Sequence, residues 1–73
     1  MTETEKRLVN ELNAAFLESV RLHGIWMQAQ QDDAARKAWM RAHGRYMKAL
    51  DALRAENPVM ADLWTPPRAQ TDN

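Results

Sequence analysis

The sequence predicts an all-α fold: an antiparallel helical hairpin, a short C-terminal helical turn and a disordered tail. Three observations carry this. The 73 residues contain two glycines and three prolines, none of the prolines before Pro58, so little interrupts a helix until then. Apolar residues recur at spacings of three and four in two long stretches. Between them lies a polar segment, Gln28-Ala29-Gln30-Gln31-Asp32-Asp33, which ends in helix-capping residues.

The first helix is expected over roughly residues 4–29. Thr2 and Glu5 have capping-box spacing, and Glu3 with Arg7 is an i,i+4 ion pair. Leu8, Leu12, Ala15, Ser19, Leu22 and Trp26 form the inward stripe, flanked by Val9, Phe16, Val20, His23 and Met27. The second helix is expected over roughly residues 33–56, capped by Asp32 or Asp33 and supported by Asp32–Arg36 and Asp33–Lys37 pairs. Its stripe reads Trp39, His43, Tyr46, Leu50 and Leu53. The Asn57-Pro58 pair ends that helix and starts a short turn over about residues 58–64, with Val59, Met60, Leu63 and Trp64 on one side. Thr65-Pro66-Pro67 stops it. Residues 1–64 then form one small domain and 65–73 a flexible tail. The competing architecture is one long helix in an intermolecular coiled coil, since neither glycine nor proline marks the turn.

A chain this short buries only about 60% of its unfolded surface and is marginal alone. It has no cysteine, so disulfides and thiolate metal sites are excluded. The N-terminus, MTETEKRLVNEL, is too acidic and polar for a signal peptide, and no apolar run reaches the roughly 20 residues of a membrane span. The expected compartment is the cytoplasm. Net charge is zero but unevenly placed. Up to Asp33 the acids Glu3, Glu5, Glu11, Glu18, Asp32 and Asp33 outnumber Lys6, Arg7 and Arg21. From Ala34 to Ala55, Arg36, Lys37, Arg41, Arg45, Lys48 and Arg54 face Asp51 alone. Such halves suit two mutually attracting helices, or a basic surface aimed elsewhere.

The chain also repeats itself. Arg21-Leu22-His23-Gly24-Ile25-Trp26-Met27 returns as Arg41-Ala42-His43-Gly44-Arg45-Tyr46-Met47. In an antiparallel hairpin this places both histidines in the seam. Val20, Gly24, Met27, Met40, Gly44 and Met47 share one broad face. Ala15, Leu22, Ala29, Ala42 and Ala49 fall on the other, and Lys37, Arg41, Arg45 and Lys48 on the back of the second helix.

These surfaces order the functional expectations. A histidine–methionine metal site is disfavoured, because antiparallel helices point the two methionines in opposite axial directions. No metal or cofactor is expected. Two seam imidazoles would resist protonation and make stability fall as pH drops. Neither a nucleophile–base–acid set nor a phosphate loop is present, so no enzyme is expected. The leading expectation is a non-catalytic regulatory adaptor that binds a larger protein or protein complex. A phage-type effector of a host enzyme, such as RNA polymerase or a defence nuclease, is one instance, offered by analogy. Its binding surface would be Val20, Gly24, Met27, Met40, Gly44, Met47, Leu63 and Trp64, adaptable because unbranched thioethers repack. The segment carrying Leu63 and Trp64 either packs on the hairpin or inserts into a partner's pocket, packing being favoured. One alternative is a helical nucleic-acid-binding protein using Lys37, Arg41, Arg45 and Lys48 on phosphates. Another is a homodimeric four-helix bundle.

Overall fold

The structure, a computed structural model, describes residues 1–68. It contains three helices: α1 (Glu3–Gln28), α2 (Asp33–Glu56) and α3 (Pro58–Leu63). The two long helices pack side by side, and α3 packs on α2. The expected hairpin and terminal turn are what the chain forms, with boundaries within one residue. Residues 64–68 carry no regular secondary structure. The rest of the expected tail, 69–73, lies outside the described residues.

Each helix start is fixed by a side chain. At α1 the Thr2 hydroxyl accepts from the Glu5 amide at 3.0 Å, while the Glu5 carboxylate accepts from the Thr2 amide at 3.0 Å. At α2 the Asp32 carboxylate accepts from the amides of Ala34 and Ala35. Asp32 is therefore occupied as a cap and does not pair with Arg36. Asp33 binds both Arg36 and Lys37 instead, at 2.7 and 3.2 Å. The expected Glu3–Arg7 pair is likewise replaced, by Glu3–Lys6 and Arg7–Glu11. These are exposed contacts of small individual worth. The connection between the helices is held by the Asp32 amide donating to the Ala29 carbonyl at 2.9 Å. Asn57 closes α2 and caps α3, its side chain accepting from the Met60 amide at 3.1 Å. The same side chain donates to Glu5 at 3.1 Å, which joins the start of α1 to the α2–α3 junction.

The core is small and sits at the end of the hairpin where both termini lie. Leu12 and Leu53 are fully buried, with Ala61 of α3 against them. Leu8, Val9, Tyr46, Ala49, Leu50, Met60 and Trp64 pack around this centre. Ser19, also buried, donates its hydroxyl to the Phe16 carbonyl at 2.8 Å rather than to either histidine. The inward stripe of α1 is the expected one. The stripe of α2 is not: Ala42 is buried and His43 exposed. Residues 39, 42, 46, 49 and 53 alternate steps of three and four, which keeps a helix seam facing its partner. His43 lies one position beyond that seam. His23 is also exposed, so neither histidine is enclosed in the seam as expected.

The third helix differs from expectation in which side it buries. Ala61 and Met60 turn inward, whereas Val59 and Leu63 face solvent. Trp64 completes the inward set and is seated against both long helices. Its indole Nε1 donates to the Asn13 side chain at 2.8 Å. Its ring meets Phe16 edge-on at 6.1 Å and Tyr46 at 6.1 Å. Trp64 is therefore part of the packing and is not a free anchor.

Trp64→Ala is expected to lower stability by about 3 kcal/mol, near the low end for large aromatic truncations because the ring is only partly enclosed. Leu63→Ala, one residue away at an exposed position, should change it by less than about 0.5 kcal/mol. Chemical denaturation of the two variants checks both figures. Glu5 yields an acid-limb prediction. Its carboxyl is held below the usual range, first by the Thr2 amide and then by Asn57. A depressed carboxyl contributes stability above its unfolded value, and that contribution disappears as pH falls through the folded value. Thermal melts across this acidic range should therefore fall more steeply for the native protein than for Glu5→Gln.

Candidate partner-binding surface

Seven rings form one connected series along the seam of the hairpin and its border. Trp26 stacks on Trp39 across the helices at 5.3 Å and 22°. Trp39 stacks on His43 at 5.1 Å, and His23 tilts against Trp39 at 5.5 Å. His43 contacts Tyr46, which in turn contacts Phe16 and Trp64. The two histidines of the repeat thus flank a single indole at the seam's outer edge. The Trp26 Nε1 atom is enclosed without a hydrogen-bond acceptor, the one such side-chain atom among the described residues.

Methionines border this series on both sides. At about 100° per residue, Val20 and Met27 lie to one side of the inward line of α1. Met40 and Met47 lie on the matching side of α2. Because antiparallel helices put equivalent edges on the same face, the four surround His23, Trp39 and His43. All are exposed: Val20 by 38%, Met27 by 39%, Met40 by 51% and Met47 by 42%. The Met40 sulfur accepts from the Arg36 guanidinium at 3.1 Å, and the Met27 sulfur accepts from Gln30 at 3.9 Å. The Trp64 side of the molecule covers the end near Phe16 and Tyr46. No described residue covers the methionines of the part nearer the α1–α2 connection.

Two expected members of the face stand elsewhere. Since Ala42, and not His43, marks the seam, α2 is rotated so that Gly44 points to its outer back. Gly24 falls at the outer border of α1. A Cβ added to either glycine would meet no atom within 4 Å. Intramolecular packing therefore gives no reason for either glycine. Leu63 is 74% exposed, and Trp64 is seated as described.

The basic stripe lies on the other side of α2. Lys37 is paired with Asp33. Among the described residues Arg41, Arg45 and Lys48 are exposed and make no ion pair, whereas Lys6, Arg7, Arg21, Arg36 and Arg54 each meet an acid three or four residues away. Arg45 borders an open groove of about 290 Å³ on the broad face opposite the methionines. Ala14, Ala15 and Ala42 line its apolar part, with Glu11 and Glu18 along its α1 edge. The Glu18 carboxyl is held below its usual range by the Arg21 guanidinium, which binds it at 2.6 Å, and further by the charge of Arg45. The sequence signal for this groove is the alanine spacing together with the uneven charge of the two helices. Neither half alone marks a site.

No group of three or more His, Cys, Asp and Glu side chains able to hold a metal occurs among the described residues. No helix among them is long and apolar enough to cross a membrane. No protein-family model, curated protein or solved structure matches the chain.

The open space around the glycines fixes their expected mutational effect. Gly24→Ala and Gly44→Ala should each stabilise the fold by about 0.5–1 kcal/mol, because alanine restricts the unfolded helix-forming chain and meets no clash. Urea midpoints of the two single variants and the double variant measure this. Destabilisation in either single variant would mean that a neighbour occupies the space.

Proposed function

We propose that the protein is a non-catalytic adaptor that binds a larger protein or protein complex through its methionine face. One observation carries the reading: Val20, Met27, Met40 and Met47 surround His23, Trp39 and His43 on one exposed surface. Single exposed apolar residues are ordinary, whereas a contiguous patch of them is the usual mark of an interaction surface. Flexible thioethers around rigid rings suit such a surface. The rings supply contact area at little entropic cost, and methionine adjusts to the partner's relief. Leu63 and Val59, exposed on α3, extend the apolar surface available near the chain's end. Regulation by occlusion or bridging needs no reactive group of its own. A phage-type effector of a host enzyme such as RNA polymerase or a defence nuclease fits this description by analogy, and the cytoplasm is the compartment that goes with it.

A second reading rests on three cations of α2 that make no ion pair among the described residues. Arg41, Arg45 and Lys48, with Lys37 beside them, are spaced to follow a phosphate backbone. Against it stand Glu11 and Glu18 across the groove, which repel a polyanion at the same face.

Affinity purification with mass spectrometry, run on the native chain and two charge variants, separates the readings. Met27→Glu with Met47→Glu should weaken capture of the main partner at least tenfold, about 1.4 kcal/mol. Arg41→Glu with Arg45→Glu should leave that capture in place. The reverse pattern, with binding that falls steeply with salt, would favour nucleic acid or an acidic protein at the basic stripe.

A further inference from the structure

The groove opposite the methionine face has a charge arrangement that complements itself. Its α1 border carries Glu11 and Glu18, and its α2 border carries Arg45 with Arg41 and Lys48 beyond. The acids are bound on their outer side to Arg7 and Arg21, while among the described residues the three cations make no ion pair, Arg45 meeting only the charge of Glu18 across the groove. The floor between the borders is alanine, which lets another helix approach closely. The core beneath is slight, with Leu12 and Leu53 the only large side chains fully buried among the described residues. The molecule measures 18 Å along its shortest axis, little more than one layer of helices about 10–12 Å thick. A chain of this size gains much of its stability when a second layer covers such a face.

We propose that this groove is a self-association surface, on which a second copy docks with its α1 lying antiparallel along α2. Two arrangements bring the same face of two hairpins together about a two-fold axis in the interface. With the axis across the helices, α1 meets α1 and α2 meets α2. Glu18 then opposes glutamates and Arg45 opposes arginines, so like charges repel. With the axis parallel to the helices, the α1 of each copy covers the α2 of the other at the same height. Those heights are set within the chain by Phe16 against Tyr46 and Glu5 against Asn57. They place Glu18 level with Arg45, so the second copy's Glu18 arrives beside a guanidinium that makes no direct ion pair among the described residues of its own chain. Arg41 and Lys48 stand one helical turn to either side, within reach of the docked glutamates. The dimer is a four-helix bundle held by both sets of charges twice over. Its two methionine faces point outward in opposite directions, so one dimer presents two copies of the partner-binding surface.

Sedimentation equilibrium of the full chain tests the arrangement, with circular dichroism confirming that each variant remains helical. The native protein should be dimeric at low salt and should dissociate as salt rises. Glu11→Lys with Glu18→Lys should be monomeric, because both helices then carry a positive border. Arg41→Glu, Arg45→Glu and Lys48→Glu together should be monomeric for the opposite reason. Mixing these two variants should restore a dimer, since each basic α1 then meets an acidic α2 and each acidic α1 a basic α2. Met47→Asp should leave the dimer unchanged. A native protein monomeric at every concentration overturns the proposal, and so does a mixture that stays monomeric. Loss of the dimer in Met47→Asp alone would place self-association on the methionine face instead.

Discussion

The indole of Trp64 is the contact on which the tertiary arrangement depends. It lies in the residue after α3, yet it donates to Asn13 of α1 and packs against Phe16 of α1 and Tyr46 of α2. Two long helices can slide past each other if only small apolar surfaces hold them. Trp64 closes that freedom by binding both at once, and the Asn57–Glu5 bond fixes the same end a second time. The fully buried pair Leu12 and Leu53 sits in this anchored region. From there the ring series runs toward the α1–α2 connection, from Tyr46 through His43 and Trp39 to Trp26. Packing is thus aliphatic and closed near the termini, aromatic and open toward the connection.

That gradient explains why the proposed binding surface is where it is. Near the termini, α3 and Trp64 complete a three-element core, and little apolar surface remains between the helices. Beyond Trp64 the hairpin has only two helices, so one broad face carries the methionines and imidazoles and the other the alanine groove. Their chemistry differs because the helices differ in charge. The pairing of exposed ions within each helix engages Lys6, Arg7, Arg21, Arg36, Lys37 and Arg54, and leaves Arg41, Arg45 and Lys48 of α2 without such a pair among the described residues. The methionine face, by contrast, offers rings and thioethers with few charges. A partner selected by shape suits the first of these surfaces, the methionine face, and a partner selected by charge suits the groove.

Much of this architecture is legible in the residues themselves. Thr2 with Glu5, Asp32 before an alanine-rich run, and Asn57-Pro58 are local signals whose chemistry operates within a few residues, and each marks the helix end it was expected to mark. The inward stripe of α1 follows from spacing alone. The stripe of α2 does not, because Ala42 and His43 are adjacent and hydropathy gives a small alanine no advantage over a ring. Only close approach between the helices decides in favour of Ala42, and that is a tertiary constraint. The same rotation carries Gly44 off the methionine face. The inward side of α3 is illegible for a similar reason: in six residues, Val59 and Leu63 have the same spacing as Met60 and Trp64. The capped start of the helix and the Asn13 acceptor select the second pair. The groove needs both helices at once, since its acids and cations come from different halves of the chain.

The proposed binding role requires that the methionine face stand open in solution, whatever covers the opposite face. The methyl resonances of the five methionines, recorded with and without a soluble paramagnetic probe, test it directly. Met27, Met40 and Met47 should lose intensity strongly, while Met60, packed against the core, should be protected. Protection of all three to the level of Met60 would show the face to be covered and unavailable to a partner.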